Sequence, residues 1–308
     1  MKSKTIKRKL WISTMIGIMG LTSGCSWLLG GFSVLPGRPL RIQGNPVMGE
    51  VYIAEGSQWA KGQRPDSSQL DEPTRAALEA LWLHDARGEH ASIPAFSRIS
   101  WQLAMIGAPP ELLEWVHRAA LEEIGHARLC FAIAEGYSNR SYSVQPIPEM
   151  LEGGFDLTND PIELMATETL FDGCLVEGFF ANLASAAAMQ CEEPATLAAL
   201  EQIAREEKSH AAFSWTLLEW LLEQHPVKVG AIIQNALLDL ENHSRPHAVG
   251  GELAHLVMAA DPELLIKHGK LPDEQWQEIW ASHLQETQQK LQRLASHNVD
   301  LLETLKSK

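Results

Sequence analysis

From residue 73 to the end of the chain, apolar residues return every three or four positions, the period of helices with one buried face. The spacing predicts four long helices. The first covers residues 73–106 and stops at Gly107-Ala108-Pro109-Pro110. The second runs from about 110 to 135 and ends at Gly136. The third runs from about 161 to 189, and the fourth follows a short break at Cys191 and Pro194 and ends before Pro226. About 25 irregular residues, with Pro146, Pro148, Gly153 and Gly154, separate helices 2 and 3. Two short connections therefore flank one long enough to cross the full length of a four-helix bundle. Residues 226–308 read as a C-terminal helical extension of two or three helices, broken near Pro246, Gly250 and Pro272. Runs of alternating β-branched residues between hairpin turns are missing, so the expected class is all-α.

The chain opens differently. Residues 1–24 hold Lys2, Lys4, Lys7, Arg8 and Lys9 and no acid, and an apolar run from Leu10 to Leu21 is too short to span a bilayer comfortably. Thr22-Ser23-Gly24-Cys25 follows. Small residues before a single Cys resemble a bacterial lipobox, with the usual Leu displaced by one place to Leu21. The resemblance implies a cleaved signal peptide over residues 1–24 and a lipid on Cys25. With Ser26 in place of Asp, it implies the periplasmic side of the cell envelope, at the outer membrane. An ordinary secretory signal or an N-terminal anchor helix are the competing readings. Residues 25–72 are rich in Gly, Pro and Ser and read as a flexible tether with a short extended piece at Val51-Tyr52-Ile53.

Composition changes the picture little: 45% apolar and 21% charged residues are ordinary for a globular chain. Charge changes it more. Beyond residue 24 there are 20 basic against 39 acidic side chains, about −19 in all, which argues against nucleic acid as a partner. Much of that excess is solvated helix surface; the rest fits soluble partners or cations held by carboxylates. Cys130, Cys174 and Cys191 are odd in number and show no Cys-x-x-Cys spacing. They offer no disulfide framework, rubredoxin-type iron centre or zinc knuckle.

A carboxylate interrupts the apolar stripe of each long helix. Glu89 falls between Ala86 and Ile93, and Glu123 with His126 between Ala119 and Cys130. Glu177 falls between Cys174 and Ala181, and Glu207 with His210 between Ile203 and Leu218. Six ionisable groups aimed into one core are costly unless something compensates. Two cations would do so, and oxygen and imidazole ligands suit iron or manganese. Glu and His three residues apart share a helix face and reach one metal.

Glu-x-x-His alone is unspecific, since the chain holds four copies. Glu114/His117 lies half a turn out of phase with Glu123, and Glu252/His255 falls outside the four helices, so both read as surface pairs. On helix 3, Glu168 is nine residues from Glu177 and is expected on the opposite side, about 13 Å out of level. Glu177 and Glu207 sit about 15 residues either side of their turn and so at one level. Glu89 matches Glu123 less well around its turn, and Asp85 fits worse.

The two halves echo each other: Leu121-Glu122-Glu123-Ile124-Gly125-His126-Ala127 beside Arg205-Glu206-Glu207-Lys208-Ser209-His210-Ala211. These motifs resemble the ferritin-like di-iron carboxylate superfamily (ferritins, rubrerythrins, bacterial di-iron oxygenases) over residues 73–225. The resemblance implies a metal set of Glu89, Glu123, His126, Glu177, Glu207 and His210 holding two iron ions, with manganese as the alternative. Cys130 and Cys174 lie one turn from the set and read as core packing that also reaches the cavity. His90 reads as helix-surface packing. Glu122 and Glu206 read equally as supports for the ligands or as surface acids. Tyr52, Tyr137 and Tyr142 lie away from the ligands, which counts against a stable tyrosyl radical. The expected function is an envelope-anchored oxidoreductase activating dioxygen or peroxide, with an unidentified electron donor. The alternatives are a ferroxidase-type iron binder and a structural envelope module with a vestigial site. Substrate, oligomeric state and the role of residues 226–308 are not legible.

Overall fold

In the computed structural model, the described residues are 36–56, 58–153, 160–240 and 252–306. The basic, apolar start with Cys25 and the expected breaks at Pro246 and Gly250 lie outside them.

Four of the described helices start where an acid precedes a proline. Asp71 accepts from Thr74 N–H ahead of α1 (Glu72–Met105). Glu193 accepts from Thr196 N–H ahead of the helix Pro194–Gln224. Asp160 and Asp261 cap the helices that open at Pro161 and Pro262 in the same way. Each cap satisfies N–H groups that the helix cannot, worth about 1 kcal/mol, and the proline lacks only an N–H that would be unpaired there anyway. Between them, α2 (Pro110–Ser138) ends on Asn139 in the left-handed conformation, a common helix stop.

The chain then passes through α3 (Glu149–Gly153) and α4 (Pro161–Glu168). Helix α4 continues without a break into a π-helical segment, Thr169–Glu177, and then α5 (Gly178–Gln190). Helices α6 (Pro194–Gln224), α7 (Pro226–Leu240), α8 (Glu252–Ala259), α9 (Pro262–Lys267) and α10 (Asp273–Lys306) complete it. The continuous helix Pro161–Gln190 is long and apolar enough to cross a membrane, but 72% of its most apolar window is buried inside the protein, as befits a core helix.

Helix α1 packs along α2, α2 along α6, and α6 along the π segment and α5. Ser100 meets His117 across α1 and α2, while Glu122 meets His210 and His126 meets Glu206 across α2 and α6. Glu89 also meets His126 across α1 and α2, and Gly173 lies against Ser214 and Gly178 against Ala211 across α6 and the helix before it. The residue numbers run oppositely in each case, so these neighbours are antiparallel. The four predicted helices thus form within a few residues of their expected ends. Helix α10 lies along α5, α7 and the π segment, and α8 covers α1.

Within the stretch expected as a tether, residues 36–54 pack against the helices or pair as short strands. Residues 36–40 are buried against α1, where Arg38 N–H donates to Ser92 Oγ (2.7 Å) and Leu40 N–H to the Ala91 carbonyl (2.9 Å). Pro94 weakens that turn of α1 by lacking an N–H. Gly88 lets the segment in: a Cβ there would stand 2.4 Å from the Pro36 carbonyl oxygen. Short strands follow. β1 (Arg41–Ile42) pairs with β2 (Asn45–Pro46), and β3 (Val51–Ala54) pairs antiparallel with β4 (Ser141–Val144) in the long connection. The extended piece at 51–53 was legible; its partner was not, because four residues are too few to show alternation.

Candidate metal centre

All six expected ligands are buried, none more than 4% exposed. Glu123, His126, Glu207 and His210 each offer an atom within 4.8 Å of the others'. His126 Nδ1 lies 3.3 Å from Glu207 Oε1 and 3.7 Å from both Glu123 Oε2 and Glu89 Oε2. His210 Nδ1 lies 3.2 Å from Glu123 Oε1 and 3.7 Å from Glu207 Oε2. Glu123 and Glu207 therefore each face both histidines. Glu89 stands on the His126 side. Glu177 takes a hydrogen bond from Ser214 Oγ (3.3 Å), one turn beyond His210.

The outer faces of the two rings are tied crosswise. His126 Nε2 donates to Glu206 Oε2 of α6 (3.0 Å), and His210 Nε2 donates to Glu122 Oε2 of α2 (2.9 Å). Of the two readings left open for Glu122 and Glu206, the supporting one holds. A carboxylate behind an imidazole fixes the tautomer and turns the other nitrogen toward a ligand.

That other nitrogen makes no hydrogen bond, although carboxylate oxygens stand 3.2–3.7 Å away. Among the described residues, both Nδ1 atoms, both oxygens of Glu123 and of Glu207, Glu89 Oε2 and Glu177 Oε1 are buried without a hydrogen bond. Buried polar atoms are almost always satisfied. Eight without a hydrogen bond, converging from four helices, fit a group that could hold a dinuclear metal ion. The donor set, carboxylate oxygen with imidazole nitrogen, suits a first-row transition metal.

Without metal the cluster keeps protons. Burial, reinforced by the neighbouring Glu123 charge, holds the Glu89 carboxyl well above the usual carboxylate range. Burial pushes Glu177 up to about 8, with Arg38 pulling the other way. Burial opposes charge on His126 and His210, but the surrounding carboxylates outweigh it and raise both well above an ordinary histidine. Burial also opposes ionisation of Glu123, and there the two histidines win and hold it low.

Sequence reasoning missed four supports. The π segment shifts helix phase: Glu168, expected to face away, is buried and forms 2.6 Å contacts from both carboxylate oxygens to Arg98 Nη2 of α1. Arg38, 1% exposed, donates to the Glu168 carbonyl (3.1 Å) and to Ser214 Oγ (3.5 Å). Its segment carried no periodic signal. Ser214 does sit on the α6 stripe, four residues after His210, and was findable there. So was His283, which shares a buried α10 face with Trp276 and Trp280. His283 Nε2 donates to the Leu175 carbonyl inside the π segment (2.9 Å), and Asn182 donates to its Nδ1 (3.3 Å). A Cβ on Gly178 would stand 2.6 Å from the His283 ring, so only glycine leaves that space.

The remaining expectations sort simply. Glu114, His117 and His255 are exposed. Asp85 pairs with Lys270. His90 packs edge-on against Trp59, 4.8 Å between ring centres. Cys130, Cys174 and Cys191 are free and buried, and burial raises all three thiols. Tyr137 bonds Thr196 and His268, and Tyr142 bonds Glu79, away from the cluster.

Comparison of the chain with family models, curated proteins and solved structures finds no match. The site is thus defined by its own chemistry: a buried Glu/His cluster in a helical protein that could hold a dinuclear metal ion.

Proposed function

We propose that this chain is a ferritin-like dinuclear metal protein of the cell envelope, lipid-anchored at Cys25, that holds two iron ions and acts as an oxidoreductase toward dioxygen or peroxide. The observation that carries the metal reading is the set of eight buried ligand atoms that make no hydrogen bond. Four antiparallel helices supplying Glu, Glu-x-x-His, Glu and Glu-x-x-His support the ferritin-like assignment.

The distances suggest the division of labour. Glu123 and Glu207, each facing both histidines, would hold the ions together with them. His126 with Glu89 would complete one ion's protein ligands, and His210 with Glu177 the other's. Iron, when bound, supplies redox capacity and open coordination positions for the oxidant. The chain supplies the rest. Glu122 and Glu206 aim the imidazoles, Ser214 holds one oxygen of Glu177, and the apolar shell keeps water away. The protons held by Glu89, Glu177, His126 and His210 must leave as metal enters.

The test is anaerobic loading of the purified chain with ferrous iron, followed by oxygen. About two irons per chain are expected, as in carboxylate-bridged bundles, followed by a visible absorption change on oxidation. No iron uptake, or uptake unaffected in Glu123→Ala and Glu207→Ala, sinks the reading. Many irons oxidised per chain would favour iron storage chemistry over oxidation of an organic substrate. For the anchor, Cys25→Ser should abolish labelling by a radioactive fatty acid and release the protein from membranes.

A further inference from the structure

A cavity of about 430 Å³ opens beside the cluster, within the range typical of small-molecule sites. Its inner end is formed by Glu89 and Glu207, whose oxygens without a hydrogen bond belong to the proposed metal set. Its walls come from two sources. The four long helices contribute Trp82, Phe180 and Ala184, and the C-terminal extension contributes Val257, Leu271 and Trp276. Residues 226–308, whose role the sequence left open, thus build half of a chamber that the four helices alone would not enclose.

We propose that this chamber binds a neutral, largely hydrocarbon small molecule, the organic substrate of the proposed centre; the substrate role rests on the metal reading above. Three observations select that class. The walls are mainly aliphatic and aromatic, so affinity comes from apolar burial. The lining carries the acids Asp85, Glu89, Glu207 and Asp273 against one lysine, which disfavours an anion. That lysine, Lys270, is already paired with Asp85 and sits 3.7 Å over the Trp82 ring, so it is not left over for a ligand carboxylate. Glu89 and Glu207 in the lining place the ligand against the proposed metal set rather than at a remote surface.

The test uses the metal-free full chain and N-phenyl-1-naphthylamine, a neutral probe whose emission rises in apolar surroundings. Dodecanol should displace it, and dodecanoate should need about ten times the concentration or more, a difference of ~1.4 kcal/mol. Ala184→Phe and Val257→Phe fill the chamber from opposite walls. Each should weaken probe binding about tenfold or more, the scale of excluding a ligand from part of an apolar pocket, while circular dichroism confirms folding. Undiminished probe binding in both folded variants overturns the proposal, as does dodecanoate competing as well as dodecanol. Cobalt(II) loading then tests the link to the centre. Dodecanol should alter the cobalt visible bands, and unaltered bands in a loaded, dodecanol-bound protein overturn it. Where cobalt does not load at all, the metal reading falls by itself and the probe results alone decide the chamber.

Discussion

The cluster is built by two unlike pairs of helices. Helices α2 and α6 carry complete Glu-Glu-x-x-His units and support each other directly: each histidine is oriented by the other helix's glutamate. Helix α1 and the helix Pro161–Gln190 contribute one glutamate each and lean on distant parts of the chain. Glu89 stands beside the buried segment 36–40. Its Oε2 would come within 3.3 Å of a Cβ placed on Gly37. Glu177 ends a π-helical stretch whose Leu175 carbonyl accepts from His283 of α10 as well as from Gly178 N–H. The first pair is self-contained, and the second is borrowed from elsewhere in the chain. π-helical stretches cost regular hydrogen bonding and recur at functional sites, which is the setting here.

That contrast can be broken first at its strong half. Glu123→Ala or Glu207→Ala removes a carboxylate facing both histidines and should abolish binding of both irons, read as metal per chain after gel filtration. Glu206→Gln or Glu122→Gln should leave the ions bound but weaken affinity by about 10–100-fold, the usual cost of losing the carboxylate behind a ligating imidazole. Competition with a chelator measures it. The two variants should behave alike because the two helices support each other reciprocally, and a large asymmetry between them would contradict the crosswise arrangement.

The weaker half predicts subtler behaviour. His283→Ala removes one of two hydrogen bonds to the Leu175 carbonyl, the other coming from Gly178 N–H, and should lower stability by about 0.5–1.5 kcal/mol, as read by thermal melting. Its metal loss should fall on one ion of the two. Equal loss of both would mean that α10 supports the whole cluster and not the Glu177 side.

Proton competition gives a smaller, graded effect. Glu89, Glu177, His126 and His210 all have raised values in the metal-free site, so each holds its proton to higher pH than usual. Metal must displace those protons, so affinity rises with pH, most clearly as pH passes the value of about 8 for Glu177. Calorimetry in buffers of different ionisation enthalpy should register proton release on loading, and pH-independent loading without release would count against the assignment. At the bottom of the scale, Glu114→Ala with His117→Ala should leave iron content unchanged, because both residues are exposed.

What the sequence made legible follows the same division. The Glu-x-x-His units show because their ligands, their decoys and their apolar stripes all obey one period, and the structure exposes Glu114, His117 and His255 while burying the pairs. Glu177 is buried as expected, yet the reasoning that dismissed Glu168 assumed a regular α-helix. Across a π segment with i→i+5 bonding, nine residues make roughly two turns instead of two and a half, so both acids turn inward. A local period cannot reveal such a segment, because Ser214, Arg38 and His283, which surround it, come from other parts of the chain. Residues 36–40 were invisible for a related reason: they bind through backbone N–H groups, which every residue but proline carries.

The burial of residues 36–40 also sets a length scale. A tether of residues 25–72 would let the helices roam far from a membrane. With the segment docked from Pro36 onward, only about ten residues separate it from the proposed lipid on Cys25, a reach of at most ~40 Å. The helices would then be leashed within roughly one protein diameter of the bilayer surface. A chamber suited to hydrocarbon would open close to the one phase of the envelope where such molecules dissolve.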